Sequence, residues 1–159
     1  MRNPATQNLS ALASCAVHRL IPMVHVGDVE RSLAFYALLG LACEDSLKDE
    51  RGRTCWGSAA SADRSGVAGK AEVMFAQADP DPVPEQQAIL LYLYSPDVVT
   101  LRSHLLTSGL HDGGRYTGCV GPNNGRSVVF AVARPDYMQT GELRVADPDG
   151  YCLLIGQLK

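Results

Sequence analysis

The sequence has no run of 18 or more apolar residues, so it offers no segment long enough to cross a membrane as a helix. It has no surplus of positive charge either: 14 Lys and Arg stand against 17 Asp and Glu, a formal net charge of −3. Binding to a phosphate backbone draws on clustered Lys and Arg, so nucleic acid is excluded as a partner. Paired cysteines are missing too. The five present (Cys15, Cys43, Cys55, Cys119, Cys152) are odd in number, scattered and never in a CxxC pair. That argues against a disulfide framework or a structural zinc site, and for a reducing, cytoplasmic setting. No GxSxG, HExxH, P-loop or dinucleotide-binding string occurs. Gly113-Gly114 and Gly121–Gly125 lack the flanking strand and helix that a phosphate loop requires. Aromatics make up 6% of the chain, with a single tryptophan, and charged residues 19%. What is abundant is apolar: 46% of 159 residues, enough for one domain with a sizeable core.

Residues 1–16 carry one charge, Arg2, and Gln7, Asn8, Ser10 and Ser14 interrupt their apolar side chains. A secretory signal needs a basic start and an unbroken apolar stretch, so this segment reads as a loosely ordered tail. Residues 17–159 then form one domain of two halves. Arg19–Val26 (RLIPMVHV) is apolar, β-branched and closed by Gly27-Asp28, which predicts a buried strand. Asp28 suits a helix N-cap, with Glu30 in the first turn. Val29, Leu33 and Tyr36 follow at i, i+4 and i+7 as one apolar face, and Gly40 supplies the stop. The unit recurs: Ala88–Leu93 (AILLYL) reads as a strand, Asp97-Val98 matches Asp28-Val29, and Gly109-Leu110 matches Gly40-Leu41. Both Asp-to-Gly intervals are 12 residues (40 − 28 and 109 − 97), and both shifts are 69 (97 − 28 and 109 − 40). A shift that long points to a duplicated half-domain rather than a solenoid.

Short strand-like runs follow each helix. Thr54–Trp56 and Ala71–Ala76 come first, with Ser58–Lys70 read as a loop between them; Ser127–Ala133, Glu142–Ala146 and Tyr151–Gly156 come second. Asp147-Pro148-Asp149-Gly150 is a tight-turn signal, proline setting φ and glycine free to take positive φ. Three prolines within Asp79–Pro84 mark a linker. Module one thus covers about 17–78, the linker about 79–86 and module two about 87–159, with the surplus length of the second half around Gly113–Arg126.

With that duplicated β-α-β-β-β plan in hand, VGDVERSLAFYALLGL (Val26–Leu41) and DPDGYCLLI (Asp147–Ile155) resemble the vicinal oxygen chelate superfamily. That group includes glyoxalase I, extradiol dioxygenases, and fosfomycin and bleomycin resistance proteins. The resemblance spans about residues 19–158. It implies an α+β fold in which two βαβββ modules form a curled, cup-shaped mixed sheet with the helices packed outside, completed by a second chain in a homodimer. In the enzymes, it further implies a divalent metal held by up to four side chains in the cup. Those positions fall here on Ile21, Glu72, Ala88 and Leu154. Ile, Ala and Leu donate nothing to a metal and one carboxylate is not a site, so no metal or other cofactor is expected. His25 shares a face with Ile21 but lies four residues along, roughly 13 Å away. His18 falls on the opposite face, and His104 and His111 are expected at the surface.

Strand alternation aims Met23 and His25, Glu72 and Met74, Leu90 and Tyr92, and Cys152 and Leu154 at the cup. Trp56 joins them as a stacking surface. The lining is apolar with a few polar groups, which suits a small organic molecule. Glu72 needs a cationic partner, either in a ligand or from Arg51, Arg53 or Arg144. Nothing beside Cys152 marks it as a reactive thiol. The expected function is metal-free binding of an organic ligand, in the manner that the resemblance to bleomycin resistance proteins implies. Bleomycin-type drugs carry much positive charge, which a net −3 suits only weakly. The alternatives are a metal-dependent lyase or dioxygenase with displaced ligands, which requires His25 and Glu72 within about 5 Å of each other; a metal-free enzyme using either as a base; and a structural dimer with a vestigial pocket.

Overall fold

The computed structural model describes residues 19–62, 69–83, 86, 89–118 and 126–159; the tail 1–16, His18 and Ala88 lie outside them. Module one runs β1 (Met23–Val26), α1 (Val29–Leu38), β2 (Leu41–Lys48), β3 (Thr54–Ser61), β4 (Glu72–Gln77). Module two runs β5 (Leu90–Ser95), α2 (Val98–Thr107), β6 (His111–Asp112), β7 (Val128–Val129), β8 (Glu142–Ala146), β9 (Cys152–Gln157).

The helices begin and end where the sequence predicts. Asp28 Oδ1 accepts the Arg31 N–H at 2.9 Å, and Asp97 Oδ1 accepts those of Val99 at 3.1 Å and Thr100 at 2.9 Å, each cap worth about 1 kcal/mol. Gly40 and Gly109 follow the two C-caps at φ +85° and +95°, a region a side chain rarely enters.

The strands form two mixed sheets of four and five, one to each module, in the orders β1-β4-β3-β2 and β5-β9-β8-β7-β6. In both, the first strand lies parallel to the last, while β3 and β8 run antiparallel to their neighbours. Module two carries an extra strand: β6 pairs parallel with β7 across the Gly113–Arg126 surplus. In module one, Leu41–Lys48 is a strand that the sequence did not announce. It is exposed from Ala42 onward and pairs only with β3, so it needs no apolar alternation. Likewise β3 extends to Ser61 through residues expected to be loop, and Gly57 is small enough to let α1 close on the sheet. A Cβ at Gly57 would come within 2.9 Å of Leu33.

One face of each sheet packs on its helix. In module one these are Val24, Val26, Val73 and Phe75 against Val29, Phe35 and Tyr36, with the Tyr36 and Phe75 rings 4.8 Å apart. In module two they are Val129, Leu143, Val145, Leu153 and Ile155 with Val98 and Leu105 of α2. Each of these large side chains contributes roughly 1.5–3 kcal/mol by leaving water.

The Asp147–Gly150 turn, with Gly150 at φ +84°, also latches the modules together. Asp149 Oδ1 accepts the Gly27 N–H at 2.9 Å and the Arg31 guanidinium at 3.0 Å, and its Oδ2 accepts the Ser32 hydroxyl at 3.2 Å. Asp147 Oδ1 accepts the N–H groups of Asp149 and Tyr151 at 3.0 and 2.8 Å, while Oδ2 accepts the Tyr36 hydroxyl at 3.4 Å. Tyr151 donates to the His25 carbonyl at 2.8 Å.

Burial, followed by the adjacent Asp149 carboxylate, pushes the Asp147 carboxyl up to about 7. An unfolded aspartate titrates near 3.9, so between about pH 4 and 7 the folded chain holds roughly one proton more than the unfolded one. The contribution of Asp147 to stability is therefore present at the acid end of that window and is lost as pH rises through 7. Asp147→Asn keeps an acceptor for both N–H groups and removes the titration. Urea denaturation across pH 5–8 should show wild-type stability falling relative to the variant, the difference levelling above about pH 7. Parallel pH profiles for the two proteins would contradict this.

Candidate functional site

The face of each sheet opposite its helix gathers the chemistry. On sheet one the strand register sets His25, Ala76, Trp56 and Leu47 in one row, and Met23, Met74, Ser58 and Asp45 in the next. Continuing it brings Glu72 level with Ile21 and opposite Ala60. On sheet two, Leu90, Cys152, Ala146 and Val128 share a row; Tyr92, Leu154 and Arg144 share a second; Tyr94, Gly156 and Glu142 share a third. All nine residues expected to line the cup stand on these two helix-free faces. His104 and His111 are exposed, as expected.

Glu72 is already paired. Its carboxylate meets the Arg19 guanidinium, and Lys70 bridges it at 3.4 Å to Glu44. The three residues proposed as its partners are elsewhere or unengaged with it: Arg53 binds Asp49 at 3.0 Å and Arg144 binds Glu142, while Arg51 makes no contact with Glu72. Arg19 holds the Glu72 carboxyl below its ordinary range. In sequence, Arg19 and Lys70 flank the strands and carry no periodic signal; the parallel pairing of β1 with β4 brings them together.

Among the described residues, His25 and Glu72 stand too far apart to share one divalent ion. His25 pairs across to Ala76, four residues along β4 from Glu72, a separation of roughly 13 Å. Counting back from the caps Asp28 and Asp97, the place of Ile21 in module one falls to Leu90 in module two, which faces Cys152, and not to the expected Ala88 and Leu154; the place of His25 falls to Tyr94. Among the described residues, no three His, Cys, Asp or Glu side chains come together. Burial pushes the Cys152 thiol up, so it stays protonated at neutral pH.

A polar cluster that sequence inspection missed occupies the far end of sheet two. Glu142 is 1% exposed. Its Oε1 accepts the Tyr137 hydroxyl and Arg144 Nε–H, both at 3.1 Å, and its Oε2 accepts the Tyr92 hydroxyl at 3.3 Å. Arg144 also donates to Tyr137 Oη at 3.4 Å and lies 4.3 Å over the Tyr116 ring. Gly156 makes room for this closure: a Cβ there would lie 2.8 Å from Met138 and 3.1 Å from the Tyr92 hydroxyl. Partial desolvation, then the Glu142 charge, raises the Tyr92 phenol above its ordinary value. The signal in sequence was the i, i+2 spacing of Glu142 and Arg144, which puts both on one face of a strand. Tyr137 and Tyr116 come from loops and had none.

No protein-family model and no curated protein matches the sequence. Solved structures do. A bleomycin resistance determinant encoded on the transposon Tn5 superposes with TM-score 0.62 at 17% identity, covering 90% of this chain and 99% of its own. A bleomycin-binding protein complexed with bleomycin gives 0.61 at 16%, covering 90% and 100%. A glyoxalase-related enzyme from Clostridium phytofermentans gives 0.60 at 13%, covering 91% and 97%. Two capped modules, each with its first strand parallel to its last and joined by the Asp147–Gly150 turn, thus give this chain the fold of these bleomycin-binding and glyoxalase-related proteins.

Proposed function

We propose that the protein binds a small organic molecule against the helix-free faces of its sheets, without a metal ion, as a homodimer. The observation that carries this reading is that large apolar and aromatic side chains on those faces are left open to solvent: Met23 is 50% exposed, Leu90 68% and Tyr94 62%. An exposed apolar face rimmed by polar groups fits a ligand or a second chain. The proteins of the same fold that bind bleomycin give the binding mode a precedent. The Arg19 and Lys70 cations at Glu72 supply the positive charge that a metal would otherwise bring to that carboxylate.

Elemental analysis of chain purified without chelator, paired with thermal melting against a library of organic compounds, tests the reading. The expected result is substoichiometric metal, no change of melting temperature with chelator, and upward shifts with a subset of the compounds. A stoichiometric divalent ion that disappears in Glu72→Ala would overturn the metal-free reading. A library that shifts nothing would overturn ligand binding.

A further inference from the structure

We infer that sheet two selects ligands carrying an organic anion, a carboxylate joined to a flat ring, and that Arg144 is the residue that reads it. The inference rests on the ligand-binding reading above and names its ligand class. The Glu142 side chain is fully enclosed, while that of Arg144 is 26% exposed, so the outward end of the pair is the cation. A guanidinium has five N–H donors in a fixed fork. Nε–H is used on Glu142 and one Nη2–H on Tyr137. The other three have no acceptor among the described residues.

The fork is also held still. Glu142 and Tyr137 fix its inner edge, and Tyr116 backs one face, itself braced edge-on by Phe130 with centroids 5.2 Å apart. A cation positioned in this way loses little freedom on binding, and carboxylate is the group whose two oxygens match two of its donors. Two strands away, across β9, Tyr92 and Tyr94 present an aromatic pair, rings 5.3 Å apart, that is 43% and 62% exposed. An arginine fork beside open aromatic rings recognises an acid on a planar apolar body. The same charge pattern opposes a cationic ligand, since the acid of the pair is buried and engaged by Tyr92, Tyr137 and Arg144.

The experiment uses three probes of one shape and different charge, naphthoate, naphthamide and naphthylmethylammonium, titrated calorimetrically into the full chain. Naphthoate should bind about tenfold more tightly than naphthamide, and the ammonium probe most weakly. Because Arg144→Met alone strands a buried carboxylate, the charge is removed as the double variant Glu142→Gln/Arg144→Met, with Arg144→Lys as the second. The double variant should lose the tenfold preference, naphthoate binding no more tightly than naphthamide. Arg144→Lys, charged but without the fork, should lose most of it. Equal binding of naphthoate and naphthamide, or a preference untouched in the double variant, overturns the role of Arg144 and leaves ligand binding standing. Failure of all three probes to bind in the millimolar range overturns the ligand class inferred here, while ligand binding itself stands or falls with the compound library.

Discussion

Replacing Glu142 with alanine is expected to lower the unfolding free energy by about 3 kcal/mol, among the largest effects of any single substitution in this chain. The carboxylate has no solvent to return to: it is 1% exposed and receives three donors, from Tyr92, Tyr137 and Arg144. Truncation leaves the Arg144 guanidinium without its acid and two phenols without an acceptor, in a space shaped by Met138 and Gly156. Because Arg144 keeps some exposure to water, the loss belongs at the lower end of the range for a broken buried pair. Glu142→Gln keeps the volume and an acceptor oxygen and should recover at least half of it. Urea denaturation at constant m-value measures both. A loss of less than about 1 kcal/mol in the alanine variant would mean that the pair behaves as an ordinary surface contact.

Asp149→Ala should cost about 2–3 kcal/mol, and it should do so by loosening one module from the other. The carboxylate of Asp149 accepts from Gly27, Arg31 and Ser32, residues 117 to 122 positions away in sequence. Without it the Gly27 N–H and the buried Ser32 hydroxyl lose the acceptor that the turn brings to them. Trp56, the only tryptophan, lies in module one, so its fluorescence reports that module while far-ultraviolet circular dichroism reports both. In the wild-type chain the two transitions should coincide; in Asp149→Ala the fluorescence transition should separate from the other. Coincident transitions with unchanged midpoints would show that the turn does not join the modules.

Much of the architecture was legible locally. Asp28 and Asp97 cap their helices, Gly40 and Gly109 end them, and the alternation of Met23–Val26 and Leu90–Leu93 sorted buried from open faces. These are properties of windows of a few residues, where capping, backbone φ and side-chain period act directly. β2 was not legible, because an exposed edge strand such as Leu41–Lys48 needs no apolar pattern and takes its conformation from β3. The division into two sheets was not legible either, since strand signals say nothing about which edges meet.

The candidate site divides in the same way. From the sequence alone came the repeat and the face on which each strand residue stands. Which partner each charge finds was settled only by the tertiary structure. Glu72 pairs with Arg19 and Lys70, and Arg144 turns to Glu142 instead. Asp149 proves to be a joint between modules as well as part of a turn. An ion pair or a buried hydrogen bond depends on a few ångströms of separation, and for residues such as Tyr92 and Glu142, 50 positions apart, that separation is set by how sheets and loops pack.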